Sequence, residues 1–171
     1  MKRIAIQGIA GSFHDIAAHQ YFEGEQVQTL CCATFEEVFE RIANDPTVIG
    51  MMAIENTIAG SLLHNYELLR ASGTTIVGEH KLHIQHSICC LPDDDWTTIS
   101  EVYSHPVALM QCREFLSRHP DLKAVEAEDT AGAAEYISRN RRRGCAAICN
   151  SSAARLYGMK VLEDQIEDNK H

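Results

Sequence analysis

The sequence has no apolar run long enough to cross a membrane and no recognisable secretory leader. A membrane helix needs about 18 or more consecutive apolar residues, and no such run occurs in the 171 residues. Met1-Lys2-Arg3 leads directly into the short strand-like run "IAIQG", without the apolar region and cleavage site of a signal peptide. These absences predict a cytoplasmic protein that has no membrane partner.

Positive charge is also scarce, since 15 Lys and Arg residues face 24 Asp and Glu residues and the net charge is -9. This balance argues against a nucleic-acid partner. The one basic cluster, Arg139 to Arg143, is interpreted as a solvated helix end, where cations suit the helix dipole. An anionic ligand would therefore have to be held by local donors such as backbone N–H groups, hydroxyls and amides.

Motifs for metals, disulfides and nucleotide cofactors are missing. The seven cysteines include no C-x-x-C spacing, so we expect reduced, mostly buried thiols. On a strand, His80 and His86 would share one face and His83 the other, which does not suit a three-ligand zinc site. "GIAGS" lacks the third glycine of a dinucleotide fingerprint, and no GK[ST] follows a glycine-rich loop. We predict no metal and no cofactor.

What the sequence does contain is a regular alternation of strand-like and helix-like segments. "RIAIQG", "VQTLCCA" and "TVIGMMAIE" are each followed by a helical pattern, which predicts an α/β fold with a parallel sheet. The predicted helix N-caps include Thr34, Asp129 and Asn150 or Ser151, and Gly73 is predicted to end the third helix. Extended stretches near residues 74–82 and 163–168 indicate two crossings between two lobes. The predicted lobes are residues 1–74 with 164–171, and residues 75–163.

Polar residues gather where three of the predicted strands end and helices begin. These turns are Gln7–Phe13, Ile54–Ser61 and Tyr103–Gln111, and ligands of open α/β sheets bind at that edge. The alternative is that their serines only cap helices. A helix starting at Gly60-Ser61 is predicted, with Leu62, Leu63, Tyr66 and Leu69 on one face. We expect Glu55 and Asn56 to be buried, and leave open whether Gln111 faces the sheet edge or solvent.

Five blocks, in order, give the chain a family resemblance. They are "IAIQGIAGSFHDIAA", "AIENTIAGSLLHNYELL", "SHPVALMQC", "EDTAGAAEYI" and "AAICNSSAARLYGMKVLEDQIEDN". Together they resemble the dehydratase domain of the prephenate dehydratase family over nearly the whole chain.

The resemblance implies a two-lobed α/β fold of the periplasmic-binding-protein-like type II architecture, with two crossings and an interlobe cleft. It implies the decarboxylating dehydration of prephenate to phenylpyruvate in L-phenylalanine biosynthesis, without a cofactor, in a homo-oligomer (dimer or tetramer). The implied catalytic residues are Asn56, Ser104 and Gln111. The implied substrate-binding residues are Ser12, Thr57, Gly60 and Ser61, and Glu55 would orient its turn.

The sequence departs from the family pattern in several places. The family's Thr-Arg-Phe motif, whose threonine is the usual candidate acid, and its phenylalanine-binding ACT domain do not occur in the 171 residues. We therefore expect a truncated form with impaired turnover. Ile9 replaces a common proline, and His14, where a hydroxyl residue is common, is interpreted as a helix-surface residue. A non-catalytic anion-binding sensor is the alternative function, and arogenate is an alternative substrate.

Overall fold

The protein consists of two compact units. The computed structural model describes residues 1–57 and 60–170, and its internal contacts separate Met1–His83 from Ile84–His171. Both units combine helices with strands, which confirms the predicted α/β class. Within the described residues, no helix is long and apolar enough to span a bilayer.

The first unit is built on a three-stranded parallel sheet. Its elements are β1 (Lys2–Gln7), α1 (Phe13–Tyr21), β2 (Val27–Cys32), α2 (Phe35–Asn44), β3 (Val48–Met51), β4 (Glu55–Asn56), β5 (Gly60–Ser61) and α3 (Leu63–Ser72). The strand order is β2-β1-β3, and both pairings of β1 are parallel. β4 and β5 form a separate antiparallel pair.

The central strand β1 is buried on both faces. Ala5 packs in a cluster with Val38 of α2, whereas Ile4 and Ile6 pack with Ala18 of α1. This alternation follows from the two-residue period of a strand. One helix therefore packs on each face of the sheet. Because the three strands are parallel, the loops that follow them lie at the same carboxyl edge of the sheet.

Local signals set most of the helix ends as predicted. Thr34 caps α2 by accepting a hydrogen bond from the Glu37 amide at 3.2 Å, and Gly73 ends α3 with a φ of 67°. The start and the buried face of α3 were predicted wrongly, because Leu62 is its N-cap while Leu63 and Tyr66 are exposed.

The second unit contains a five-stranded mixed sheet. Its elements are β6 (Ser87–Cys90), β7 (Glu101–Ser104), α4 (Pro106–Gln111), α5 (Arg113–Ser117), β8 (Lys123–Glu126), α6 (Thr130–Arg139), β9 (Cys145–Cys149), α7 (Ser151–Leu156) and β10 (Lys160–Glu163). The strand order is β10-β6-β9-β7-β8. β7 runs parallel to β8 and β9, whereas β6 is antiparallel to β9 and β10. The sheet of the second unit is therefore mixed, in contrast to the parallel sheet of the first unit.

A buried carboxylate supports the core of the second unit beside the strands. The core packs Ile88, Val102, Phe115 and Ile148 together. Asp94 is 1% exposed, and its carboxylate accepts three hydrogen bonds. The donors are Thr98 Oγ1 at 2.9 Å, Arg143 Nε at 3.0 Å and the Gly144 amide at 2.9 Å. A buried charge of this kind is tolerated because its lone pairs are satisfied.

The segment after β10 associates with the second unit. The amide of Ile166 donates to the carbonyl of His86 at 3.0 Å, and the amide of Asp168 donates to the carbonyl of Gln111 at 2.7 Å. The sequence analysis placed residues 164–171 with the first lobe and its boundary at residue 74, whereas the contacts divide the chain after His83. The difference arises because these backbone hydrogen bonds hold residues 166–168 beside β6 and α4.

Candidate functional site

The first predicted donor, Ser12, lies at the start of α1 and caps it. Its hydroxyl accepts a hydrogen bond from the Asp15 amide at 3.3 Å, and the Asp15 carboxylate accepts one from the Gly11 amide at 2.8 Å. The first bond satisfies an amide that a helix start leaves without a helical partner, and the second ties the preceding turn to α1. Ser12 is thus already used in capping, and its contact with a ligand stays a prediction.

His14 is a structural link, which corrects the surface position predicted for it. Its Nε2 accepts a hydrogen bond from the Ala53 amide at 3.1 Å, and its ring meets Phe35 edge-on with 5.4 Å between centroids. Burial lowers the pKa of His14 from 6.5 to about 4. The ring is therefore neutral near pH 7 and fastens the chain after β3 to α1.

The turn predicted to start a helix forms a short antiparallel hairpin instead. Glu55 pairs with Ser61, and Asn56 pairs with Gly60. Ser61 is neither a helix cap nor at a helix start, because α3 begins at Leu63. The helix start predicted at Gly60-Ser61 is therefore wrong, whereas the contact of these two residues with a substrate stays a prediction.

Glu55 holds this hairpin against α3 through hydrogen bonds. It is exposed, in contrast to the predicted burial. Its Oε1 accepts hydrogen bonds from Tyr66 Oη at 3.2 Å and Ser61 Oγ at 3.5 Å. This agrees with the interpretation of Glu55 as the residue that orients the turn. The exposed Thr57 follows Asn56, and residues 58 and 59 lie outside the described part of the chain.

Ser104 ends strand β7 and is fully buried. Its hydroxyl donates to the carbonyl of Ile148 in β9 at 2.6 Å. The capping alternative is wrong for this serine, because His105 is the N-cap of α4 and its Nδ1 accepts from the Val107 amide at 3.1 Å. The bond to β9 fixes the serine oxygen at the carboxyl end of β7.

Gln111, the last residue of α4, belongs to a buried polar cluster with His86 and Glu167. The three are 6%, 1% and 4% exposed, which excludes the solvated alternative for Gln111. Oε1 of Gln111 lies 2.6 Å from His86 Nε2, and Glu167 Oε2 accepts from the His86 amide at 3.0 Å. Burial lowers the pKa of His86, although Gln111 and Glu167 oppose this shift.

The sequence analysis missed His86 as a member of this cluster. The sequence pattern indicated only that His80, His83 and His86 do not suit a zinc site, and His86 alone of the three is buried. Its position directly before the wholly buried strand β6 was the available signal. His80 instead contacts Gln20 Oε1 through Nε2 at 3.0 Å. The described residues contain no group of three or more metal-ligating side chains.

The predicted residues thus fall into two groups, each within its own unit. Asn56, Gly60 and Ser61 share the hairpin of the first unit, with Ser12 on a separate turn. Ser104 is the last residue of β7 and Gln111 the last residue of α4, both in the second unit. A surface depression of about 340 Å³ is lined by Glu37, Glu40, Arg41 and Asn44. Its two carboxylates do not suit an anionic ligand, and it contains none of the predicted residues.

Sequence comparison relates the chain to curated enzymes. It is 36% identical over 168 residues to arogenate dehydratase/prephenate dehydratase 6 of Arabidopsis thaliana, covering 98% of this chain and 40% of that protein. It is also 36% identical over 170 residues to the bifunctional chorismate mutase/prephenate dehydratase of Escherichia coli K12, covering 98% of the chain and 44% of that protein. The chain therefore spans less than half the length of these relatives.

Solved structures share the fold. Prephenate dehydratase of Arthrobacter aurescens superposes with a TM-score of 0.87 at 23% identity, over 98% of this chain and 56% of that one. GqqA, described as a novel type of quorum quenching acylase, superposes with a TM-score of 0.87 at 32% identity, over 97% and 60%. A family model described as prephenate dehydratase matches residues 4–171. The chain belongs to the prephenate dehydratase family.

Proposed function

We propose that the chain carries out the decarboxylating dehydration of prephenate to phenylpyruvate. The observation that carries this proposal is the family match across residues 4–171. In this reaction carbon dioxide and the ring hydroxyl leave, and aromatisation of the ring drives the step. The protein's task is to hold two carboxylates in a reactive pose and to assist the departing hydroxide.

The proposed catalytic residues are the neutral polar side chains Asn56, Ser104 and Gln111. Ser104 and Gln111 are buried and held by partners within the second unit, so their orientation is set before a ligand arrives. Such preorganised dipoles stabilise developing negative charge without reorganisation. Ser12, Thr57, Gly60 and Ser61 are proposed as further contacts to the substrate.

The proposal is tested by measuring phenylpyruvate formation from prephenate near neutral pH, with the spontaneous reaction subtracted. Gln111→Ala and Asn56→Ala should each lower kcat/KM by roughly a hundredfold. The exposed Gln165 provides a control, and Gln165→Ala should leave turnover unchanged. Absence of turnover both in the unchanged chain and in a form extended by the family's Thr-Arg-Phe motif, or full turnover in both site variants, would contradict the proposal.

Arogenate is the second substrate to test, since the Arabidopsis relative is named for both activities. An arm with arogenate, followed through phenylalanine release, measures the preference directly. An acylase activity is less well supported: the Ser104 hydroxyl donates to a backbone carbonyl, which is not a general base that could activate a nucleophile. The sensor alternative predicts ligand binding without turnover in either arm.

The finer proposal is that the 171-residue form is impaired, because the family's Thr-Arg-Phe motif is not among its residues. A form extended by that motif should exceed the 171-residue form by roughly a hundredfold in kcat, the effect of one group that stabilises only the transition state. Equal turnover of the two forms would refute the impairment. We also propose a cytoplasmic location, which the free state of all seven cysteines supports.

A further inference from the structure

His86 and Gln111 share a contact that defines which end of the Gln111 amide is engaged. The His86 Nε2 and Gln111 Oε1 atoms are 2.6 Å apart in a buried setting. An amide oxygen only accepts hydrogen bonds, so the imidazole must donate through an Nε2–H. The contact therefore pairs an Nε2–H imidazole with a Gln111 carboxamide whose oxygen faces the ring.

We propose that His86 is a positioning residue, which binds the amide oxygen of Gln111 and so presents the amide N–H₂ group to the substrate. This inference rests on the proposed function, in which Gln111 contacts a substrate bearing two carboxylates. With its oxygen held by His86, the amide offers only donors at its other end. If the amide were reversed, its oxygen would face the anion and repel it.

The surroundings of His86 keep the ring in the state that this role requires. Burial lowers its pKa, so that the imidazole is neutral near pH 7, while the Gln111 contact and the Glu167 carboxylate oppose the shift. Glu167 Oε2 accepts from the backbone amide of His86 at 3.0 Å. Glu167 thus anchors the histidine backbone, and Gln111 is the side chain that faces the ring nitrogen Nε2.

The backbone around the pair is fixed from a third side. The carbonyl of His86 accepts from the Ile166 amide, and the carbonyl of Gln111 accepts from the Asp168 amide. Asp168 Oδ1 also accepts from the Glu114 amide at 2.9 Å. The short segment from Ile166 to Asp168 therefore links the backbones of the two residues through hydrogen bonds.

The first test uses NMR and requires no turnover. A long-range ¹H–¹⁵N correlation of the histidine rings should show His86 protonated at Nε2 and not at Nδ1. Gln111→Glu places a carboxylate on Nε2, which stabilises the imidazolium and should raise the pKa of His86 by at least one unit. Gln165→Glu adds the same charge at an exposed position and should leave that pKa unchanged. A ring protonated at Nδ1, or an unmoved pKa in Gln111→Glu, would overturn the contact.

The second test separates positioning from packing. His86→Leu removes the donor, whereas His86→Gln can return an amide N–H near the position of Nε2. With prephenate, His86→Leu should lower kcat/KM by roughly ten- to a hundredfold. If the loss in His86→Leu approaches a hundredfold, kcat/KM of His86→Gln should be at least about tenfold higher than that of His86→Leu. The double variant His86→Leu/Gln111→Ala should have the same kcat/KM as Gln111→Ala alone. Both changes remove the same His86–Gln111 contact, so their effects should not add.

The outcomes are distinguishable from failure of the proposed function. Additive losses in the double variant, or unchanged kcat/KM in His86→Leu, would overturn the positioning role even with an active enzyme. If neither the unchanged chain nor the form extended by the Thr-Arg-Phe motif turns over prephenate, the proposed function fails, and the substrate-facing part of this inference fails with it. The ring tautomer and the Gln111→Glu titration then still decide whether His86 fixes the amide.

Discussion

Replacing His14 by glutamine should remove an acid-sensitive contribution to the stability of the first unit. Nε2 of His14 accepts a hydrogen bond from the Ala53 amide, and a protonated imidazole has no lone pair with which to accept it. Burial lowers the pKa of His14 from 6.5 to about 4. The folded state therefore binds the proton of this residue less readily than the unfolded state does.

The sign and size of the effect follow from proton linkage. Between pH 6.5 and pH 4 the unfolded chain takes up a proton that the folded chain refuses, so the free energy of unfolding falls as the pH falls. The slope is about 1.4 kcal/mol per pH unit when the two states differ by one proton. Over the pH interval set by the two pKa values the loss is about 3 kcal/mol. Above pH 6.5 and below pH 4 the residue adds no further pH dependence.

The assay is urea unfolding, followed by circular dichroism, of the unchanged chain and of His14→Gln at several pH values from 7 to 4.5. Glutamine retains an oxygen that can accept from the Ala53 amide but loses the edge-on contact with Phe35. At pH 7 the variant should therefore be less stable by roughly 1 kcal/mol. This difference should shrink and then reverse on acidification, because only the unchanged chain contains His14 and loses stability through it. The carboxylates are common to both proteins, so their contributions to the difference cancel.

The control is His83→Gln, which replaces an exposed histidine of the same unit and should leave the pH dependence of unfolding unchanged. NMR titration of the folded protein should place the pKa of His14 near 4. Parallel stability curves for His14→Gln and the unchanged chain between pH 6.5 and pH 4.5 would show that the link to Ala53 does not depend on a neutral ring.

Two further changes test the thiols and the buried carboxylate. In the native protein a disulfide-exchange reagent such as DTNB should label one thiol, the exposed Cys31, while all seven thiols react in denaturant. Cys31→Ser should abolish the native signal. Rapid labelling of a second thiol would contradict the burial of the other six. Asp94→Asn places an amide N–H₂ opposite donors and should cost about 2–3 kcal/mol in free energy of unfolding. Asp93→Asn, at an exposed neighbour, should cost less than about 0.5 kcal/mol, and equal losses in the two variants would refute the argument.

Sequence predicted the structural features that are encoded locally. Thr34, Asp129 and Asn150 cap their helices as expected, because each cap is a hydrogen bond between a side chain and an amide three residues later. The three strands of the parallel sheet in the first unit also follow from their apolar patterns. Fold class and family membership could also be predicted, because the five quoted sequence blocks are contiguous stretches that resemble the family in order.

Burial of polar residues could not be predicted, because distant partners decide it. Asn65 is the buried residue of α3, and its Nδ2 donates to the Ala53 carbonyl at 2.7 Å. His86 is buried through partners 25 and 81 residues away. The Gly60-Ser61 error has a different cause: a glycine and a serine suit a hairpin as well as a helix start, and the pairing with Glu55 and Asn56 decides between them.

The two sheets differ in when they can form during synthesis of the chain. All strands of the first sheet lie between Lys2 and Met51, so they can pair as soon as this stretch has left the ribosome. The second sheet needs β10, which pairs with β6 about 70 residues earlier, and the Ile166–Asp168 segment closes loops of similar length. Contacts between distant residues slow folding because the loop entropy is lost first. The first unit is therefore expected to fold ahead of the second, whose polar cluster around Gln111 is completed only once the Ile166–Asp168 segment has been synthesised.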